Sequence, residues 1–421
     1  MKSKKLFLSL AVACCLGSAP SYANTSVGAY VDYDGWSLNT IDQFNADTAR
    51  HAATINIFSN FDTNWHNLAQ QSSNIVSRNA VPMVTWMPYS SATPDANILQ
   101  EITQGHWDSY ITSWIEGFKS WQSTYAEENK PSILLRFGHE FNGNWYGWGN
   151  QPDNLKLAWR YLHNKFTEAG VNDSVGWVWC ANNVDVDSYN DVLRYYPGDD
   201  VVDWLSIDGY NWGSNYSFTR WKSFDETFSY QYVKMVTAIP NKPVMLAEVS
   251  SAEAHDVPDP DWGQDGDDSD AMESKEAWTA DMLSRIQENY SAIKSIVWFN
   301  TNKELSWALN QDGNTGLNAY NSAVVGDYFG SVMNVKTMVA APAPEEEPVK
   351  VKGKGKPRKA ARGTVIEEVQ VTQEPIPLSG IERAMTHTNL PDVVGEHLLK
   401  KESDGLRAMP KDKLQKWRAR W

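Results

Sequence analysis

Between residues 27 and 302 the chain repeats one rhythm eight times. A short, nearly unbroken apolar run rich in β-branched and aromatic residues is followed by a longer stretch of mixed polarity. The runs are VGAYVDYD (27–34), ATINIFSNF (53–61), VPMVTWMPY (81–89), SILLRFGHE (132–140), VGWVWCANN (175–183), WLSIDGYNW (204–212), PVMLAEVSS (243–251) and SIVWFNTN (295–302). Apolar runs without alternation are the mark of parallel strands covered on both faces. Stretches between them, such as LKLAWRYLHNKFTEAG closing on Gly170 and AWTADMLSRIQENYSAIK, suit helices. Strand-then-helix repeated eight times predicts an α/β fold, a closed (β/α)8 TIM barrel, over residues 24–331. A doubly wound sheet is the alternative, but no Gly-rich phosphate loop follows the first run.

The ends of the chain break the rhythm. Lys2, Lys4 and Lys5 precede an apolar stretch, and Ser21-Tyr22-Ala23 reads as a small-x-small cleavage site, so residues 1–23 are expected to be a signal peptide. The protein is then secreted or periplasmic, with lipid anchoring at Cys14 or Cys15 the lesser alternative. Cleavage would leave Cys180 alone, without an intramolecular disulfide partner. At the other end, residues 332–363 are rich in Pro, Ala, Gly and Lys and read as a linker. Residues 364–421 hold too few apolar residues for a core, and a disordered tail or a segment docking a cell-envelope partner is expected.

Charge separates these parts. The formal net charge is −15, and residues 341–421 contain 16 basic and 12 acidic side chains, a net of +4. The remaining 340 residues therefore carry −19, which repels phosphate backbones and suits a neutral partner rather than a nucleic acid.

Polar and aromatic residues collect at the C-terminal ends of the predicted strands, which share one face of a barrel. Two are glutamates, Glu140 on the fourth strand and Glu248 on the seventh. Breaking a glycosidic bond requires a proton donor for the leaving oxygen and a second carboxylate across the sugar ring. Trp145, Tyr146 and Trp148 would desolvate Glu140 and raise its pKa, whereas Glu248 needs hydrogen-bond donors, for which Tyr210 and Arg136 are candidates. Arg136 is also placed to pair with Glu140. His139 points away from Glu140 if the strand is regular, which would make it a structural histidine.

The segment LLRFGHEFNGNWYGWG (134–149), together with LAEVSS around Glu248, resembles family 26 of the glycoside hydrolases over about residues 27–331. The resemblance implies a retaining endo-β-glycanase with Glu140 as acid/base, Glu248 as nucleophile, His139 beside the sugar and Tyr210 bonded to the nucleophile. The family acts on β-1,4-mannan, on mixed-linkage β-glucan or on β-1,3-xylan. IDGYNWG and WFNTNKELSW look closer to its glucanase-like branch, and mannan and glucan stay level here.

Around the pair, Arg136, Asn142, Asp208 and the aromatics Trp86, Trp145, Trp148, Trp212 and Trp298 are candidates for substrate binding, because pyranose C–H faces stack on aromatic planes. Trp307 belongs to the same aromatic set, and Asp208 is equally suited to a carboxylate network. No His/Cys metal cluster or phosphate loop is evident, so neither a metal nor a cofactor is expected, and the protein should act as a monomer. The acidic stretch AEAHDVPDPDWGQDGDDSD (252–270) lacks calcium-loop spacing and reads as a solvated flap. A non-catalytic glycan-binding protein and an exopolysaccharide-processing envelope protein are the competing classes.

Overall fold

The computed structural model describes residues 23–94, 96–186, 190–216, 219–253, 273–311 and 315–336. Residues 1–22 of the expected leader, the tail beyond Lys336 and most of the acidic flap lie outside these residues. No helix among them is long and apolar enough to cross a membrane.

Eight parallel strands close into a barrel: β1 (Thr25–Val31), β2 (Thr54–Asn60), β3 (Val81–Met87), β4 (Ile133–Phe137), β5 (Val175–Asn182), β6 (Trp204–Asn211), β7 (Val244–Ser251) and β8 (Ile293–Asn300). Each pairs with its sequence neighbour, and β1 completes the ring by pairing with both β8 and β2. The outer layer is formed by α1 (Leu38–Asp47), α2 (Trp65–Val76), α3 (Ile98–Thr103), α4 (Asp108–Gln122), α5 (Pro152–Glu168), α6 (Phe224–Ala238), α7 (Lys275–Asn289) and α8 (Leu317–Val324). Local signals set the helix starts. The Ser223 and Glu226 side chains form a capping box on α6, and the Asn64 side chain accepts from the Asn67 N–H at the start of α2.

Strand alternation splits the core in two. Ala53, Met83, Leu134, Val178, Cys180, Met245, Ala247 and Val297 fill the inside, whereas Ile133, Leu135, Phe137, Trp177 and Trp179 face the helix layer. Beyond α8, a short strand β9 (Phe329–Gly330) pairs with β1. The chain then runs on across the N-terminal end of the barrel. The Ser26 hydroxyl donates to Met333 Sδ at 3.3 Å, and the Trp204 indole donates to the Val335 carbonyl at 2.9 Å. Barrel packing thus continues to Lys336.

This alternation corrects two sugar-stacking expectations. Thr85 faces inward, so Trp86 points outward, where it stacks on Phe61 and Trp114 and donates to the Tyr110 hydroxyl at 3.2 Å. Trp298 likewise lies outside Val297, edge-on to Tyr320 of α8, with its indole donating to the Trp307 carbonyl at 3.0 Å. Both are fully buried and present no ring face at the mouth.

Two local departures from regular strand geometry place the acidic residues. In the β6–β7 ladder Ile207 pairs with Leu246, but the next pair is Asp208 with Glu248, so the register slips past Ala247. Such a bulge turns two successive residues to one face. Met245 and Ala247 already point inward, and Glu248 joins them. The second departure follows β4, where Gly138 and Glu140 adopt positive φ of 55° and 53°. The strand pattern stops at Phe137, and the Glu140 N–H instead donates to the Cys180 carbonyl at 2.9 Å.

Candidate active site

Arg136 organises the mouth. Its guanidinium is fully buried above Leu134 and forms a fork: Nη2 donates to Glu248 Oε1 at 2.5 Å and Nη1 to Asp208 Oδ2 at 2.7 Å. The Nε–H donates to Thr85 Oγ1 at 2.8 Å, and that hydroxyl donates to Asn56 Oδ1 at 2.7 Å. A planar donor held on three sides fixes two carboxylates at once. Glu248 Oε2 accepts from the Tyr210 hydroxyl at 2.5 Å. The carboxylate is thus held from both oxygens by donors.

Glu140 lies in different surroundings. Its Oε2 accepts from the Trp145 indole at 2.8 Å and its Oε1 from the Asn182 amide at 3.1 Å. Among the described residues no cation forms an ion pair with it, and burial, reinforced by the charge of Glu248, pushes its pKa up to about 7. One carboxyl group is therefore poised to hold a proton near neutral pH, next to another wrapped in donors.

His139 is buried beside this pair, contrary to the expectation from regular alternation. The positive φ at Gly138 and Glu140 breaks the alternation, so both side chains turn towards the barrel axis. The imidazole packs against Tyr146, 5.0 Å between centroids, and its Nδ1 has no partner among the described residues. Burial and the Arg136 charge hold it well below the usual histidine pKa, so it is neutral. A ligand atom of His139 lies within 4.8 Å of those of Asp208 and Glu248, which raises the question of a metal. The guanidinium of Arg136 already bonds both carboxylates and supplies the positive charge a cation would bring.

Other candidates have supporting rather than sugar-facing positions. Arg136 and Asp208 are sealed from solvent; Asp208 spends its oxygens on Arg136 and on the Cys180 thiol, which donates at 3.0 Å. Asn142 is also fully buried: its amide donates to the Asn182 and Val184 carbonyls, and its Oδ1 accepts from the Asn182 N–H. It therefore positions Asn182, the partner of Glu140. Trp148 is buried, donates to the His139 carbonyl at 2.8 Å and stacks on Tyr146. Trp307 is buried against Tyr210 and Trp212. Trp212 is partly exposed, and Trp145 is buried with its indole N–H on Glu140. Asn182 and Thr85 carry no role in the sequence reading. Asn182 had the signal of a polar residue at a strand end, but the buried Thr85 had none.

A (β/α)8 barrel carrying one proton-holding and one donor-wrapped carboxyl group at the ends of β4 and β7 defines a site of the glycoside hydrolase type. Residues 78–262 match the model of glycosyl hydrolase family 26. It is 30% identical to endoglucanase H of Acetivibrio thermocellus over 77% of this chain and 34% of that protein. It is 22% identical to a β-1,3-xylanase of Alcaligenes sp. over 50% of this chain and 41% of that one. The chain thus spans well under half the length of these curated relatives. A solved endo-β-1,4-mannanase from Cellulomonas fimi shares the fold, with a TM-score of 0.53 at 14% identity over 76% of each chain.

Proposed function

We propose that the protein hydrolyses an internal β-linkage of a neutral polysaccharide, with retention of configuration, and that its substrate is a β-glucan. The single observation that carries the reaction is the contrast between the two glutamates: Glu248 held by Arg136 and Tyr210, and Glu140 buried with its pKa raised to about 7. In the first step a Glu248 oxygen bonds to the anomeric carbon while Glu140 passes its proton to the glycosidic oxygen, whose bond to that carbon breaks. Esterified Glu248 no longer carries charge, so one cause of the raised Glu140 pKa disappears and Glu140 becomes a base. It then takes a proton from the water that attacks the anomeric carbon, and Glu248 leaves as carboxylate.

The preference for β-glucan rests on the match to an endoglucanase, which runs along more of this chain than the match to the xylanase. The test is reducing-sugar release from lichenan, carboxymethylcellulose, mannan and β-1,3-xylan side by side, with early products followed by proton NMR. Lichenan should be cleaved fastest and the β anomer should appear first. Early α anomer would exclude a glycosyl-enzyme on Glu248, and faster cleavage of mannan or xylan would remove the β-glucan assignment.

A further inference from the structure

The loop after β1 is built in an unusual way. Tyr33, Asp34 and Gly35 adopt positive φ in succession, 69°, 47° and 75°. Among the described residues only Tyr33 and Glu140 take this conformation without being Gly, Asn or Asp, the types that tolerate it. Both stand at the C-terminal mouth of the barrel. Backbone strain of this kind persists where the surroundings hold it, and here they do. Gln71 donates to the Asp34 carbonyl at 2.7 Å, Asn74 donates to the carbonyls of Gly35 and Trp36 at 3.0 and 3.1 Å, and Asp34 Oδ1 accepts from the Phe58 N–H at 3.2 Å. A Cβ on Gly35 would sit 3.0 Å from Ile75, so the loop lies directly on α2.

This braced loop holds two aromatic rings in water. Tyr33 is 69% and Trp36 50% exposed, more than any other large aromatic among the described residues. Most described tryptophans are buried, so apolar burial does not account for the placement of Trp36. Beneath the loop, Tyr30 stacks on Phe299, which lies edge-on to Tyr210, the partner of Glu248. Asp32 adds acceptor oxygens at the same rim, where it takes hydrogen bonds from Thr301 and Gln311. Rigid, exposed aromatic planes flanked by carboxylate acceptors suit the C–H faces and hydroxyls of a pyranose.

We infer that Tyr33 and Trp36 form a distal sugar subsite, which grips a β-glucan unit outside the ring being cleaved and so selects for long chains. The inference rests on the polysaccharide reading above, but its test does not require turnover. The full-length protein is run through native gels containing lichenan, with Trp36→Ala, Tyr33→Ala and Trp36→Phe alongside. The parent should be retarded, Trp36→Ala should lose about thirty-fold in affinity, Tyr33→Ala should lose less, and Trp36→Phe should keep most of it. In kinetics on lichenan the loss should fall on KM with kcat nearly preserved, and hydrolysis of an activated aryl β-cellobioside should change less than about two-fold. Retardation unaffected by Trp36→Ala, or no retardation of the parent, would overturn the subsite. An equal fall in kcat on both substrates would do so too, by showing that the ring only supports the loop. If the parent cleaves nothing yet its retention depends on Trp36, the hydrolase reading fails and the subsite stands.

Discussion

The raised pKa of Glu140 has a consequence for stability that needs no substrate. Its carboxyl titrates near 7 in the folded protein, against an ordinary value of 4.5. Below about pH 4.5 the group is neutral whether the chain is folded or not, so it carries no penalty. Between these values the unfolded chain releases the proton and the native state retains it, so stability falls as pH rises. The difference of 7 − 4.5 units corresponds to about 3 kcal/mol of stability lost by pH 8. Glu140→Gln removes the titration. It also disturbs a hydrogen bond from Trp145 or Asn182, but by an amount that does not change with pH. The stability of the variant relative to the parent should therefore improve by about 3 kcal/mol between pH 4 and pH 8. Urea unfolding followed by tryptophan fluorescence at a series of pH values measures it, and titrating groups that do not interact with Glu140 cancel in the comparison. A difference that stays flat across that range would refute the proton-holding role assigned to Glu140.

Three further outcomes follow from the same geometry. Glu248→Gln removes the neighbouring charge but not the burial, so the Glu140 pKa should drop by about one to two units, read by carbon-13 NMR of labelled glutamate. An unchanged value would leave burial as its sole cause. Glu140→Ala should slow polysaccharide hydrolysis at least about a hundred-fold while sparing aryl glycosides with good leaving groups; equal damage to both would take the acid role from it. Arg136→Lys replaces a planar fork with a single ammonium and leaves Asp208 or Glu248 poorly paired. It should cost about 3 kcal/mol in unfolding free energy together with most of the activity, and an unimpaired enzyme would contradict the organising role of that guanidinium.

Much of this architecture was legible in the apolar runs, because eight buried parallel strands produce eight separate unbroken segments. The same unbroken character concealed which side each residue faces. In VPMVTWMPY and SIVWFNTN nothing marks Thr85 or Val297 as inward, so Trp86 and Trp298 passed for mouth residues until the barrel set their phase. The donors expected around Glu248, Tyr210 and Arg136, do contact it, since both lie on inward positions of their strands. His139 escaped a reading based on alternation because the kink at Gly138 is a backbone event. The exposure of Trp36 also depends on its surroundings: loop tryptophans look alike in a sequence, and only the bracing by Gln71 and Asn74 distinguishes this one.

The slipped register at Ala247 means that the orientation of Glu248 is set by counting residues and not by which residues they are. If the strand paired regularly through Ala247, without the slip, every side chain beyond it would be rotated by half a turn and the carboxylate would face the helix layer, whereas exchanging Ala247 for another small residue would leave the slip intact. Along this strand, lineages related to the chain should therefore tolerate spelling changes far better than frame changes.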